Sequence, residues 1–134
     1  MISVLLVDDQ ERLLLAWEKL LAAQPDMRLA GTLPAADRLI EVVSSSPVDV
    51  VILDLSMPGR SPLSAIRDLV EHGPGVRAIV LSAHADPAAI QAAFDAGVWA
   101  FVDKLSPPSH MLDVIRRVAA GEAVFPAHMS HQES

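Results

Sequence analysis

The sequence predicts an α/β domain: a doubly wound, five-stranded parallel sheet with helices on both faces. Three observations predict it. Short apolar runs alternate with stretches of helical periodicity in five strand–helix units. Two of the runs, Val50-Val51-Ile52-Leu53 and Ile79-Val80-Leu81, are continuous rather than alternating, as in strands covered on both faces. Of the 134 residues 51% are hydrophobic, enough for one sizeable core and too short a chain for two. Right-handed crossovers then place helices on both sides of the sheet.

The strands are expected at Ser3–Val7, Arg28–Leu33, Val48–Leu53, Arg77–Leu81 and Trp99–Val102. Leu13, Leu14, Trp17, Leu20 and Leu21 recur at three- and four-residue steps, which makes Gln10–Ala23 an amphipathic helix with Trp17 on its core-facing stripe. Further helices fit Ala35–Ser44, Leu63–Glu71, Pro87–Ala96 and Pro107–Ala119. Asp86-Pro87 and Ser106-Pro107 each set a capping oxygen before a proline at the first helical position. Gly97 and Gly121 follow the last two helices, where a left-handed terminal residue is expected. Gly73-Pro74-Gly75 reads as a turn, since no Lys-Ser/Thr and helix follow it as in a phosphate loop. By the two-residue period Trp99 is expected on the same face as Phe101. After Phe125 the pattern stops. Residues 1–125 form the domain, and 126–134, with His128 and His131, form a polar tail or the start of a linker.

Composition excludes several function classes. Ten Lys and Arg against seventeen Asp and Glu give a net charge of −7, with pI near 5.0. Such a surface repels phosphate backbones, so this segment is not expected to bind nucleic acid by itself. The absence of cysteine excludes disulfides, thiolate zinc sites and thiol catalysis. No apolar run approaches the ~18–20 residues that span a bilayer. Ile2–Val7 ends in Asp8-Asp9 without a basic flank or cleavage site, so no secretory leader is expected and the expected location is the cytoplasm.

In an open α/β sheet, ligands bind beyond the carboxyl ends of the strands. The first strand ends in Asp8-Asp9, the third in Asp54 and the fourth in Ser82, and the fifth runs into Lys104. Three carboxylates, a hydroxyl and one ammonium therefore converge on one edge. Two carboxylates about 5 Å apart repel by roughly 3 kcal/mol at an effective dielectric near 20. Such a site either raises a carboxyl pKa or holds a divalent cation. Hard oxygen donors without His or Cys favour Mg²⁺, which takes one or two carboxylates and keeps several waters.

The segments Val4-Leu5-Leu6-Val7-Asp8-Asp9, Val51-Ile52-Leu53-Asp54-Leu55-Ser56-Met57-Pro58-Gly59, Val80-Leu81-Ser82-Ala83 and Ala96-Gly97-Val98-Trp99-Ala100-Phe101-Val102-Asp103-Lys104 resemble those of response-regulator receiver domains. The likeness runs from about residue 2 to 121. It implies a flavodoxin-like fold with strand order 2-1-3-4-5, a phosphoacceptor at Asp54, and Mg²⁺ held by Asp9, Asp54 and the carbonyl of Ser56 with Asp8 assisting. It also implies Ser82 as the switch hydroxyl, Phe101 as the switch aromatic and Lys104 as the phosphate-binding lysine. The implied partners are a sensor histidine kinase, a second copy of the chain on phosphorylation, and DNA only through an output domain outside this chain; no membrane is implied. Gly121-Glu122-Ala123-Val124-Phe125-Pro126 resembles the ending of the LuxR-type branch, in which a helix-turn-helix output domain follows.

Three departures stand out. Ser61-Pro62 replaces a frequent Asp-Gly pair, Phe101 lacks the hydroxyl of the commoner Tyr, and Leu105 follows the lysine where Pro or Asp is frequent. The family's peptide after the lysine is often cis, so cis is expected at Lys104–Leu105, against a cost of ~2.5–4 kcal/mol for a non-proline bond.

The proposed chemistry is phosphoryl transfer to a carboxylate oxygen, which needs in-line geometry and neutralised equatorial oxygens more than a base. The product then draws in Ser82, vacates space for Phe101 and alters the face made by the fourth helix, fifth strand and fifth helix. The bland readings are a strand-end carboxylate at Asp54, a surface lysine at Lys104, a loop serine at Ser82 and a packed core aromatic at Phe101. His84 either tunes water access or is a solvated loop residue. A haloacid-dehalogenase-type phosphatase would want Asp two residues after its nucleophile, where Ser56 stands. A nucleotide-binding domain would want a glycine-rich turn, where Asp8-Asp9-Gln10 stands. A stand-alone phosphorelay protein and a phosphorylation-independent interaction module are the remaining alternatives.

Overall fold

The computed structural model describes residues 1–56, 61–72, 75–83 and 85–126. Strands β1 (Ile2–Val7), β2 (Met27–Leu33), β3 (Val50–Asp54), β4 (Arg77–Ser82) and β5 (Ala100–Asp103) pair in parallel in the order β2-β1-β3-β4-β5. Helices α1 (Glu11–Ala22), α2 (Leu39–Ser45), α3 (Pro62–His72), α4 (Pro87–Ala96) and α5 (Pro108–Ala119) connect them or follow them. The order turns back on itself between β1 and β3, which opens a crevice at their carboxyl ends.

The residues of β1, β3, β4 and β5 divide by parity. Leu5, Val7, Val51, Leu53, Ala78, Val80 and Phe101 pack against α2, α3 and α4 in one core. Val4, Leu6, Val50, Ile52, Ile79, Leu81, Ala100 and Val102 pack with Leu21 of α1 and with Met111, Leu112, Val114, Ile115 and Val118 of α5. Burial on both faces is the physical reason the runs are continuous in sequence. Of the apolar stripe of α1 only Leu21 is buried; Trp17 is half-buried against the second core, and Leu15 is exposed.

The element boundaries follow local chemistry. Asp86 caps α4 by accepting the Ala89 amide at 2.8 Å, with Pro87 in the first turn. Gly97 ends that helix at φ +98, and a Cβ there would stand 2.8 Å from Val70 Cγ2, so a left-handed backbone and a close neighbour both require glycine. At α5 the expected cap shifts by one residue. Pro107 is extended (φ −60, ψ 148) because it precedes another proline, and Pro108 takes the first helical position. The helix expected over Ala35–Ser44 is instead a 3₁₀ turn, Ala36–Arg38, followed by α2. The tight turn aligns Ala36 with Leu39, and both are buried.

Trp99 corrects the face expected for it. The strand starts at Ala100, and Trp99 packs against the second core while Phe101 lies in the first. The Arg77 guanidinium sits 4.5 Å from the Trp99 ring centroid. Beyond α5 the chain returns to the sheet. Val124 bridges Ala100 in parallel; Phe101 N donates to Val124 O at 3.1 Å, and Val124 N donates to Trp99 O at 3.0 Å. Phe125 meets Phe94 of α4 edge-on, with centroids 5.5 Å apart. The tail with His128 and His131, and His84, lie outside the described residues.

Candidate functional site

Asp8 and Asp9 leave the end of β1 in different directions. Asp8 is 4% exposed, and its Oδ1 accepts the Gln10 amide at 2.8 Å, a short-range bond that turns the chain toward α1. Asp9 is exposed. Across the crevice Asp54, the last residue of β3, is 1% exposed. Its Oδ1 accepts the Ser56 amide at 2.9 Å, and its Oδ2 accepts from Lys104 Nζ at 2.6 Å. One carboxylate oxygen from each of Asp8, Asp9 and Asp54 lies within 4.8 Å of the others.

Strand β4 ties the two sides together. Leu55 N donates to Leu81 O at 3.0 Å, and Lys104 N donates to Ser82 O at 2.9 Å. Ser82, buried, stands opposite Asp103 in the β4–β5 register. Ser56 is exposed, next to residues 57–60, which lie outside the described set. Phe101 is buried in the first core, two residues before Asp103. The residues singled out in the sequence thus come to one edge, except Phe101, which sits one layer inward.

The electrostatics follow from this crowding. Burial pushes the Asp8 carboxyl above its ordinary range; the Gln10 amide pulls it partly back, and the charge of Asp54 pushes it up again. Among the described residues Lys104 is the cation paired with Asp54, so there three carboxylates share one ammonium. An all-oxygen, under-neutralised donor set of this size fits a hard divalent cation. A second group, Asp68, Glu71 and His72 on α3, lies on that helix's mostly exposed face.

The Lys104–Leu105 peptide is trans, contrary to the cis bond expected for it. No proline offsets the cost of a cis bond here. The loop is shaped by Asp103, whose Oδ1 accepts the Leu105 amide at 2.8 Å. Sequence reasoning passed over Asp103. The signal available was an Asp at the first position of a turn, where its side chain bonds the amide two residues on.

Residues 4–116 match the model of the response regulator receiver domain. The chain belongs to that family. The receiver is 33% identical over 125 residues to the transcriptional regulatory protein DesR of Bacillus subtilis, covering 93% of this chain and 62% of DesR. It is 27% identical over 132 residues to the response regulator UvrY of Escherichia coli, covering 98% of this chain and 61% of UvrY. The chain therefore spans about three fifths of the length of these curated relatives. Its fold superposes with a TM-score of 0.85 on the isolated receiver domain of RcsB from Salmonella enterica serovar Typhimurium, solved with the phosphomimetic BeF₃⁻; identity is 25%, with 97% of this chain and 96% of that one covered. A LuxR-family response regulator from Aurantimonas sp. SI85-9A1 superposes at 0.88 with 22% identity, covering 96% and 92%. The receiver is thus a signalling module of two-component systems, with the strand order expected of that fold. Among the described residues no helix is long and apolar enough to cross a membrane.

Proposed function

We propose that this receiver takes a phosphoryl group onto Asp54 from the phosphohistidine of a sensor kinase or from a small acyl phosphate. One observation carries the reading: a carboxylate 1% exposed, its Oδ2 2.6 Å from an ammonium, faces two further carboxylates across the crevice. In the transfer, an Asp54 oxygen forms the new O–P bond as the P–N bond to histidine, or the P–O bond of the acyl phosphate, breaks and its electron pair leaves with the donor.

Asp9, Asp54 and the Ser56 carbonyl would hold Mg²⁺, with Asp8 assisting. When bound, the ion supplies positive charge against the crowded carboxylates and the transferring oxygens. Lys104 holds a second phosphoryl oxygen, and the Asp54 side chain is kept in line by the Ser56 amide. Ser82 then donates to the phosphoryl group, and Phe101 follows toward the sheet, changing the face of α4, β5 and α5. Inverting a 1:99 equilibrium takes ~5.5 kcal/mol, and a charge-assisted hydrogen bond supplies about 1.5–3. Pairing with a second copy completes the shift. The same reading makes residues 1–125 the switching unit, located in the cytoplasm, and sets it to control transcription through a DNA-binding domain; the similarity to DesR, a transcriptional regulatory protein, supports that output. The docking of Val124 and Phe125 on the sheet and α4 supports that boundary.

The test is labelling with ³²P-acetyl phosphate and Mg²⁺. The wild-type protein acquires base-labile, hydroxylamine-labile label, and Asp54→Ala acquires none. Label that persists in Asp54→Ala overturns the assignment.

A further inference from the structure

We propose that Asp103 is a positioning residue for Lys104: its side-chain oxygen, acting as a neutral-capable acceptor and not as a charge, sets the chain path that delivers the lysine to Asp54. The proposal rests on the reading of Asp54 and Lys104 given above. Residues Asp103–Ser106 form a turn in which Ser106 N donates to Asp103 O at 3.0 Å and Leu105 N donates to Asp103 Oδ1 at 2.8 Å. Lys104 occupies the second position of that turn, with its own amide bound to Ser82 O at 2.9 Å and its Nζ 2.6 Å from Asp54 Oδ2.

A lysine has a flexible stem of four carbons, and the rotamer entropy it loses on being held is large. What the fold can set in advance is where the stem starts and in which direction the backbone leaves. On the upstream side that is done by the bond to Ser82. On the downstream side Leu105 gives no anchor, being 88% exposed. The peptide between Lys104 and Leu105 is trans, and no proline stiffens it. There the turn is closed by the backbone bond from Ser106 to Asp103 O, and the Asp103 carboxylate is the side chain that holds the Leu105 amide within it. Asp at the first position of a turn bonds the amide two residues on, a local bond that holds the turn without help from packing.

The charge of Asp103 has other candidates for its use nearby. It borders a groove with His110 and Arg117. Arg117, however, is paired with Glu122 at 2.6 Å and Asp113 at 3.7 Å. An Asn, which retains the acceptor oxygen and loses the charge, therefore discriminates the two roles.

The experiment measures the rate of phosphoryl uptake from acetyl phosphate with saturating Mg²⁺, together with hydrogen exchange at the Leu105 amide. Asp103→Ala is expected to slow uptake 3- to 10-fold and to speed Leu105 exchange at least 10-fold, about the loss expected for one local bond. Asp103→Asn is expected to stay within 2-fold of wild type in both. In a Lys104→Ala background, Asp103→Ala is expected to add nothing, which a merely structural role would not produce. Equal defects in the Ala and Asn variants, or an Asp103→Ala defect undiminished without Lys104, overturn the proposal. Failure of the underlying reading looks different, because the wild-type protein then takes no label at all. In that event an Asp54 carboxyl resonance that moves in Asp103→Ala and not in Asp103→Asn sustains the positioning role, and one that moves in neither overturns it.

Discussion

The two ends of the sheet treat charge in opposite ways. At the amino end several charges near the strand starts tie the structure. Asp49 accepts the Ser3 amide at 2.8 Å, Arg28 donates to Ser3 Oγ at 3.0 Å, and Arg116 bridges Asp26 at 2.8 Å. Arg77 stacks on Trp99 and donates to Val118 O and Ala119 O, two carbonyls at the end of α5, at 2.9 and 3.1 Å. At the carboxyl end Asp8, Asp9 and Asp54 crowd together, and among the described residues Lys104 is the cation paired with one of them. Among the described residues one end is balanced and the other is short of cation. The difference shows that the imbalance is not a tolerance of the fold in general, and it is what a receptor for a cation and a phosphoryl group requires.

Four substitutions break or sharpen this contrast. The largest effect is expected at the unbalanced end: Lys104→Ala removes a charge-assisted bond of about 1.5–3 kcal/mol, so phosphoryl uptake falls roughly 10- to 150-fold. Mg²⁺ affinity, read by tryptophan fluorescence, changes little. At the balanced end Arg77→Ala is expected to cost about 2 kcal/mol in urea unfolding while uptake stays within 2-fold, since its bonds and its stack on Trp99 serve α5 and not the crevice. Asp8→Asn keeps an acceptor for the Gln10 amide and removes one of three crowded charges. It is expected to stabilise the protein by about 1–2 kcal/mol in chelator, a gain that shrinks as Mg²⁺ is added because the wild type binds the ion more tightly.

The smallest effect belongs to Asp26. Its hydrogen bond from Arg116 holds the Asp26 carboxyl below the usual range, with desolvation acting the other way. A depressed carboxyl stabilises the fold above the unfolded-state pKa and loses that contribution as pH falls through the folded value. Arg116→Ala is expected to return the Asp26 carbon-13 titration to the ordinary carboxylate range. A titration that does not move removes this pair from the balanced end.

The fold was legible in the sequence because burial on both faces leaves a mark that needs no partner knowledge: Val50–Leu53 and Ile79–Leu81 can only be covered strands or buried helix, and their brevity decides. The acidic edge was legible for a related reason, since parallel strands bring all their carboxyl ends to one side. What escaped was set by single residues acting on the backbone. Two prolines in a row moved the start of α5, a bond from Asp103 replaced the expected cis peptide, and Trp99 escaped the strand's alternation because β5 begins one residue after it. The return of Val124 to the sheet was invisible for want of periodicity in a segment that pairs through one residue.

That return has a consequence for the edge of the sheet. A border strand presents unmatched backbone groups that invite pairing by foreign chains. Here the outer side of β5 is covered at its first residue, Ala100, by the protein's own returning segment, pinned by an aromatic clasp between Phe125 and Phe94. A version cut before Glu122 would bare the Trp99 carbonyl and the Phe101 amide on that border, and self-association through it would follow.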